Sequence, residues 1–264
     1  PGLGNGIANL HNARRAGTPI INIVGNHALY HIELDAPLTS DIDTLARNVS
    51  CWIKSDSTAD SLAADGMQAL QASLTPRSGS AGQIASLIIP ADACWSEATA
   101  LAQPLTPPER PQVDTQLIRD VAESISANTM LLLDGDGLST EAKISANRIK
   151  RKMGCRVALG CFPARIDGGA GMPSVERLPY FPEHVLGFLQ GLDQLVLAGA
   201  QTPASFFAYP DKPGVLVPEG CKITRLSGNH ENTTAALLAI ADHLGVADSD
   251  YDIDQPATPE LPAG

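Results

Sequence analysis

Short apolar runs bounded by glycine or proline alternate with capped helical stretches along most of this chain, and that alternation constrains the fold more than any other feature. Residues 19–24, PIINIV, form a β-branched run closed by Gly25, which reads as a strand buried in a parallel sheet. Ile7, Leu10 and Ala13 are spaced roughly three apart and place a helix over 4–16, stopped by Gly17. Thr39 or Ser40 can cap a short helix from Asp41. SCWI at 50–53 reads as a second strand, Ser57 or Thr58 can cap a helix running to Leu74, and 84–89 is again a buried-strand run. Such an order predicts right-handed βαβ units on a mostly parallel sheet.

The alternation breaks once. LAQPLTPPERPQVD, residues 101–114, carries four prolines and no apolar period, so a domain boundary is expected there. Beyond it the pattern restarts, with a helix over 115–126, a strand at 130–133, a helix over 139–153 and a strand at 156–159. After a Gly- and Pro-rich loop come a helix at 183–189, strands at 194–197, 205–209 and 221–226, and a helix over 233–244. In outline this is a six-stranded doubly wound domain. The tail from Ala247 is acidic, contains proline and reads as an extended connector.

The length of 264 residues, at roughly 150 per domain, suits about two domains. No apolar run nears the roughly 18 residues of a membrane helix, and the opening PGLGNGIANL lacks the basic start of a signal peptide. A formal charge of −11 would repel a phosphate backbone, which argues against nucleic acid and leaves small-molecule chemistry or a protein partner. Cys51, Cys94, Cys155, Cys161 and Cys221 include no C-x-x-C pair and read as buried thiols in a reducing cytoplasm. Because the chain opens at Pro1, already inside a helical pattern, a piece of a longer polypeptide is expected.

Three groups of residues could carry chemistry. Gly2, Gly4, Asn5 and Gly6 form a glycine-rich turn at a helix start, where backbone N–H groups can approach a ligand; a plain tight turn is the alternative. LLLDGDGLSTEA at 131–142 offers a strand, a glycine turn and a capped helix. However, Thr140 stands where a nucleotide fingerprint has its third glycine, and Asp134 and Asp136 would oppose a pyrophosphate. His27 and His31, with Glu33 and Asp35 nearby, have a spacing that could align two imidazoles, though nothing in it fixes a third metal ligand. His11, His184, His230 and His243 read as surface residues or lack support, and no G-x-S-x-G elbow occurs.

PGLGNGIANLHNARRAGTPIINIVGNH resembles the later part of the pyrimidine-binding domain of thiamine diphosphate-dependent enzymes. DGDGLSTEA, GAGMPSVERLPYFPE and VLAGAQTPASFFAYPDKPG resemble the central domain of that family's acetolactate synthase-like branch. The resemblance implies an α/β fold of two doubly wound Rossmann-like domains with mostly parallel sheets, the first incomplete. Residues 1–100 would be the partial pyrimidine-binding domain, 101–112 a linker, 113–246 the central domain and 247–264 the connector. It implies thiamine diphosphate and Mg2+ as cofactors of the parent enzyme, with FAD possible in the central domain. A 2-keto acid would be the substrate, decarboxylated with or without joining to a second carbonyl compound, in a dimer or tetramer.

In the family, the glutamate that assists cofactor deprotonation lies upstream of the glycine turn, so no residue here takes its role and Glu33 is not a substitute. The metal motif GDG belongs to a third domain, which makes Gly135-Asp136-Gly137 a chance match. Positions matching cofactor-facing turns are Gly2, Gly4, Asn5, Gly25, Asn26 and His27. Gly135, Gly137, Arg165 and Gly199 match nucleotide contacts of FAD-holding relatives. The isolated chain is expected to be inactive. The rival reading is a non-enzymatic adenine-nucleotide-binding module.

Overall fold

The computed structural model describes every residue except Ser78, Pro107, Tyr209 and 254–264. The chain divides into two compact units, Pro1–Arg110 and Pro111–Gly264, so the division falls inside the proline-rich stretch.

In the first unit α1 (Gly2–Ala16) precedes β1 (Ile20–Asn26), α2 (Leu29–Ile32), α3 (Ile42–Arg47), β2 (Trp52–Lys54), α4 (Ala59–Leu74), β3 (Ile84–Pro90) and α5 (Ala91–Trp95). Gly17 ends α1 in the left-handed conformation, φ 64°, where its N–H reaches the carbonyls of Ala13 and Arg14. Thr58 caps α4 in a reciprocal box with Ser61. The cap of α3 is Asp41 itself, whose carboxylate accepts from the Thr44 N–H at 3.0 Å, rather than Thr39 or Ser40. The strands form a parallel sheet in the order β1-β3-β2, with Ile20 opposite Ile84 and Trp52 opposite Ala85.

β3 is buried almost throughout, as its apolar run predicts. β1 differs from expectation. It is an edge strand, and its burial alternates so that Ile23 is 67% exposed on one face. A β-branched run signals strand conformation, but burial requires layers on both faces, which composition does not encode. Leu3, Ala46 and Ile88 form the small core of this unit, with Leu10, Val24, Ile42 and Ile53 against it.

The second unit contains α6 (Thr115–Ser124), β4 (Thr129–Leu133), a 3₁₀ turn (Gly135–Leu138), α7 (Thr140–Met153) and β5 (Arg156–Leu159). It continues with β6 (Glu176–Arg177), α8 (Pro182–Phe188), β7 (Gln194–Ala198), β8 (Lys222–Ser227) and α9 (Thr233–His243). Its sheet, ordered β6-β5-β4-β7-β8, is parallel throughout. Five strands pair among the described residues, not six. Where a strand is expected at 205–209, the described residues 205–208 form irregular backbone and bends, with a single bridge between Ala204 and Val215, while the two-residue β6 escaped the sequence reading. Tyr209 lies outside the described residues.

Apolar side chains line both faces of this sheet. Leu131, Leu133, Val196 and Leu226 pack with Ile149 of α7 and Ile240 of α9; Met130, Leu132, Leu195 and Leu197 pack on the other face with Val185 of α8. The sheet is therefore doubly wound. The tail does not simply extend from Ala247. Asp250 and Asp252 pair with Arg151 at 2.7 and 2.6 Å, and the buried Arg148 bonds the Val246 carbonyl and pairs with Asp248 at 3.1 Å. Residues 254–264 lie outside the described part.

Candidate functional site

Open parallel sheets leave a crevice beyond the carboxyl ends of their strands, and each unit has one. In the first unit the end of β1 and the start of α1 border a cavity of about 890 Å³, a volume suited to a cofactor-sized molecule. Because α1 is helical from Gly2 onward, the 3.6-residue period selects which of its residues face this space. Gly2, Gly6 and Asn9 lie on one face and line the cavity; Gly4 and Asn5 fall off it and are exposed. The helix read over 4–16 begins two residues earlier, at Gly2, which sets Gly2, Gly6 and Asn9 on one face. Gly25, Asn26 and His27 also line it, as expected positions, joined by Asn22, His31, Tyr30 and Trp95.

The glycines here are open. A Cβ at Gly2, Gly6 or Gly25 would meet nothing within 4 Å. The polar side chains are partly fixed: Asn22 donates to the Ser86 hydroxyl at 2.8 Å, and the Asn26 carbonyl oxygen accepts from the His27 N–H at 2.8 Å. His27 precedes α2 instead of sharing a helix with His31, and their ring centroids stand 5.5 Å apart. Glu33 and Asp35 do not line the cavity, and none of its described lining residues is a carboxylate. Among the described residues no three His, Cys, Asp or Glu side chains gather as a metal site.

In the second unit, the glycines that match a nucleotide fingerprint are filled in by protein. Gly135 has φ 53°, and a Cβ there would collide with the Asn229 side chain. At Gly137 it would lie 3.0 Å from the Ala198 carbonyl oxygen; at Gly199, φ 73°, it would strike the Asp134 carbonyl oxygen. Hydrogen bonds lock this junction. The Asp134 N–H donates to the Ala198 carbonyl at 3.1 Å, the Asp136 carboxylate accepts from the Thr234 N–H at 2.9 Å, and the Gly199 N–H donates to the Ser227 hydroxyl at 2.9 Å. Arg165 is exposed and pairs with Asp167 at 3.0 Å. A smaller crevice of about 180 Å³ lies at the ends of β4, β5 and β7, and none of Gly135, Gly137, Arg165 and Gly199 lines it.

The five cysteines are free thiols, but only Cys155 is buried, and Cys94 is exposed. Burial pushes the Cys155 thiol up to about 11. Among the described residues no helix is long and apolar enough to cross a membrane.

Two α/β units with parallel sheets and crevices at strand ends define the Rossmann-like class of fold. Comparison with known proteins narrows the class. The chain is 43% identical over 266 residues to the "Putative acetolactate synthase large subunit IlvX" of Mycobacterium tuberculosis, a match that covers 100% of this chain and 50% of that protein. It thus spans about half the length of this curated relative. Its fold matches a structure described as a "putative thiamin diphosphate-dependent enzyme" from Mycobacterium smegmatis, with a TM-score of 0.73 at 23% identity over 97% of this chain and 51% of the other. It also matches a thiamine diphosphate-dependent 4-hydroxybenzoylformate decarboxylase of Rhodococcus jostii, with a TM-score of 0.73 at 20% identity over 99% of this chain and 52% of the other. A comparison with protein-family profiles gives no match. The resemblance read from the sequence stands: the chain is similar to an acetolactate synthase-like large subunit and has the fold of thiamine diphosphate-dependent enzymes.

Proposed function

We propose that this chain supplies the pyrimidine-side unit and the central unit of a thiamine diphosphate-dependent, acetolactate synthase-like enzyme that decarboxylates 2-keto acids, with or without carboligation. The observation that carries this reading is the open, glycine-lined cavity at the end of β1, joined to 43% identity along the whole chain. The cavity fits the cofactor's aromatic end. Absent side chains at Gly2, Gly6 and Gly25 leave room for a flat ring, while Asn9, Asn26 and His27 offer polar groups to orient it. Ile23, Val24, Leu38 and Trp95 supply apolar surface beside the ring.

Bound thiamine diphosphate supplies the nucleophilic carbon and electron sink for 2-keto acid chemistry. The chain's residues bind and orient. With no carboxylate among the described lining residues, we assign the proton-transferring acid, the magnesium and the diphosphate grip to polypeptide beyond these 264 residues. The assembly would be a cytoplasmic dimer or tetramer. In the central unit, Gly135, Gly137 and Gly199 do not fit a dinucleotide cradle, because each closes against protein; this favours a structural unit over an FAD site or an adenine-nucleotide module.

The test compares the isolated chain with the complete polypeptide, each supplied with pyruvate, thiamine diphosphate and magnesium. The complete protein is expected to release carbon dioxide and the isolated chain to release none. Turnover by the isolated chain, or indifference of the complete protein to every 2-keto acid tried, overturns the reading.

A further inference from the structure

The smaller crevice contains a carboxylate that the described structure leaves without a counter-ion. Asp134 lines it and accepts one described side-chain hydrogen bond, from the Gly135 N–H at 2.7 Å. Burial pushes its carboxyl above the usual range, and that hydrogen bond only partly opposes the push. No Lys, Arg or His stands among the described lining residues. Gly160 stands beside the carboxylate, where a Cβ would lie 3.8 Å from the Asp134 Oδ2.

Three aromatic rings stand beside this carboxylate's crevice. Phe162 lines it, and the centroids of Phe162, Tyr180 and Phe206 are mutually 5.8 Å apart. All three are substantially solvent-exposed, Phe162 at 67%, which is unusual for rings that could pack inward. Leu132, Val185 and Leu216 complete an apolar wall.

These features select a ligand by charge. A phosphate or carboxylate would meet like charge in a poorly solvated space. Neutral ligands would desolvate Asp134 further and return at most a neutral hydrogen bond, weaker than a charge-assisted one. An ammonium head donates a charge-assisted hydrogen bond to the carboxylate and is attracted to the ring face, while an alkyl stem covers the leucines. The volume of about 180 Å³ suits a handful of heavy atoms.

We propose that the crevice at the ends of β4, β5 and β7 binds a small molecule carrying an alkylammonium head, with Asp134 as its counter-ion, the Phe162 ring against the head and the leucines against its stem. The inference goes beyond the proposed function and is independent of it, since every residue used lies in the second unit.

The probe is n-butylammonium chloride, titrated into the whole chain at constant ionic strength, with the Gly135 and Gly160 amide resonances as the readout. Saturable shifts are expected with n-butylammonium and not with n-butanol. Asp134→Asn, which keeps the acceptor for Gly135, should weaken binding about tenfold or more, as loss of a charge-assisted bond implies. Phe162→Leu, which keeps apolar bulk but no ring face, should weaken it about threefold and remains informative if the Asn variant misfolds. Absence of saturation, an equal response to n-butanol, or unchanged binding in both variants overturns the proposal.

Discussion

Glycines at strand ends occur in both units, and they face opposite surroundings. Those at the start of α1 and the end of β1 border empty space; those after β4 and β7 are pressed against a carbonyl oxygen or a neighbouring side chain. The burial of the strands follows the same division: β4 is buried at all five positions, whereas β1 exposes alternate residues. A missing side chain can therefore make room for a ligand or allow two loops to approach, and only the neighbours decide which.

The largest effect that tests this contrast is Gly199→Ala. A left-handed backbone and a collision with the Asp134 carbonyl act together, so a loss of about 4 kcal/mol is expected in urea unfolding. A loss under about 1 kcal/mol would mean the junction yields and is not closed. Next come paired truncations of corresponding strands. Leu131→Ala in buried β4 should cost about 3 kcal/mol, against roughly 0.5 kcal/mol or less for Ile23→Ala in exposed β1. Equal losses would erase the contrast between the sheets.

Alkaline pH sharpens it further. Burial is the largest cause of the raised Cys155 thiol, opposed by a backbone hydrogen bond and by Lys150. A folded-state value of about 11 lies above the ordinary 9.0, so the protonated thiol's contribution is complete below pH 9. As pH rises from 9 to 11 the unfolded chain ionises and the folded one does not, removing roughly 2 to 3 kcal/mol. Unfolding curves of Cys155→Val should lack that part of the decline; parallel declines in both proteins would refute it. The smallest effect belongs to the open glycines. Gly6→Ala should stabilise α1 by about 0.5 to 1 kcal/mol while placing a methyl at the cavity wall and weakening thiamine diphosphate binding in the complete polypeptide. Destabilisation by Gly6→Ala would show that this position is packed after all.

Legibility in the sequence followed the range of the interaction involved. Helix limits rest on neighbours three or four residues apart, and so Gly17 could be read directly and the cap of α4 narrowed to Ser57 or Thr58, of which Thr58 is the one used. The cap at Asp41 was misread by one or two positions because several adjacent residues can accept the same hydrogen bond. Gly25, Asn26 and His27 were named from the family resemblance, and all three line the cavity. Asn9 was missed, although it lies in the helix read over 4–16, because the face that α1 turns to the cavity is set by its packing. Asp134 was seen as an obstacle to phosphate; its exposure to an aromatic-lined crevice depends on loops after β5 and β7 that lie far from it in sequence.

By itself the sequence determined the alternating α/β plan, the break near residues 101–114 and the likeness to thiamine diphosphate enzymes, because periodicity, capping and motif order are local properties of the chain. Tertiary structure alone decided that β1 has one exposed face, that the described residues 205–208 join no sheet, and that one set of glycines opens a cavity while the other seals a junction. The physical reason is the same in each case: burial and collision are set by atoms brought together from distant positions, and a residue's own identity does not specify what will stand beside it.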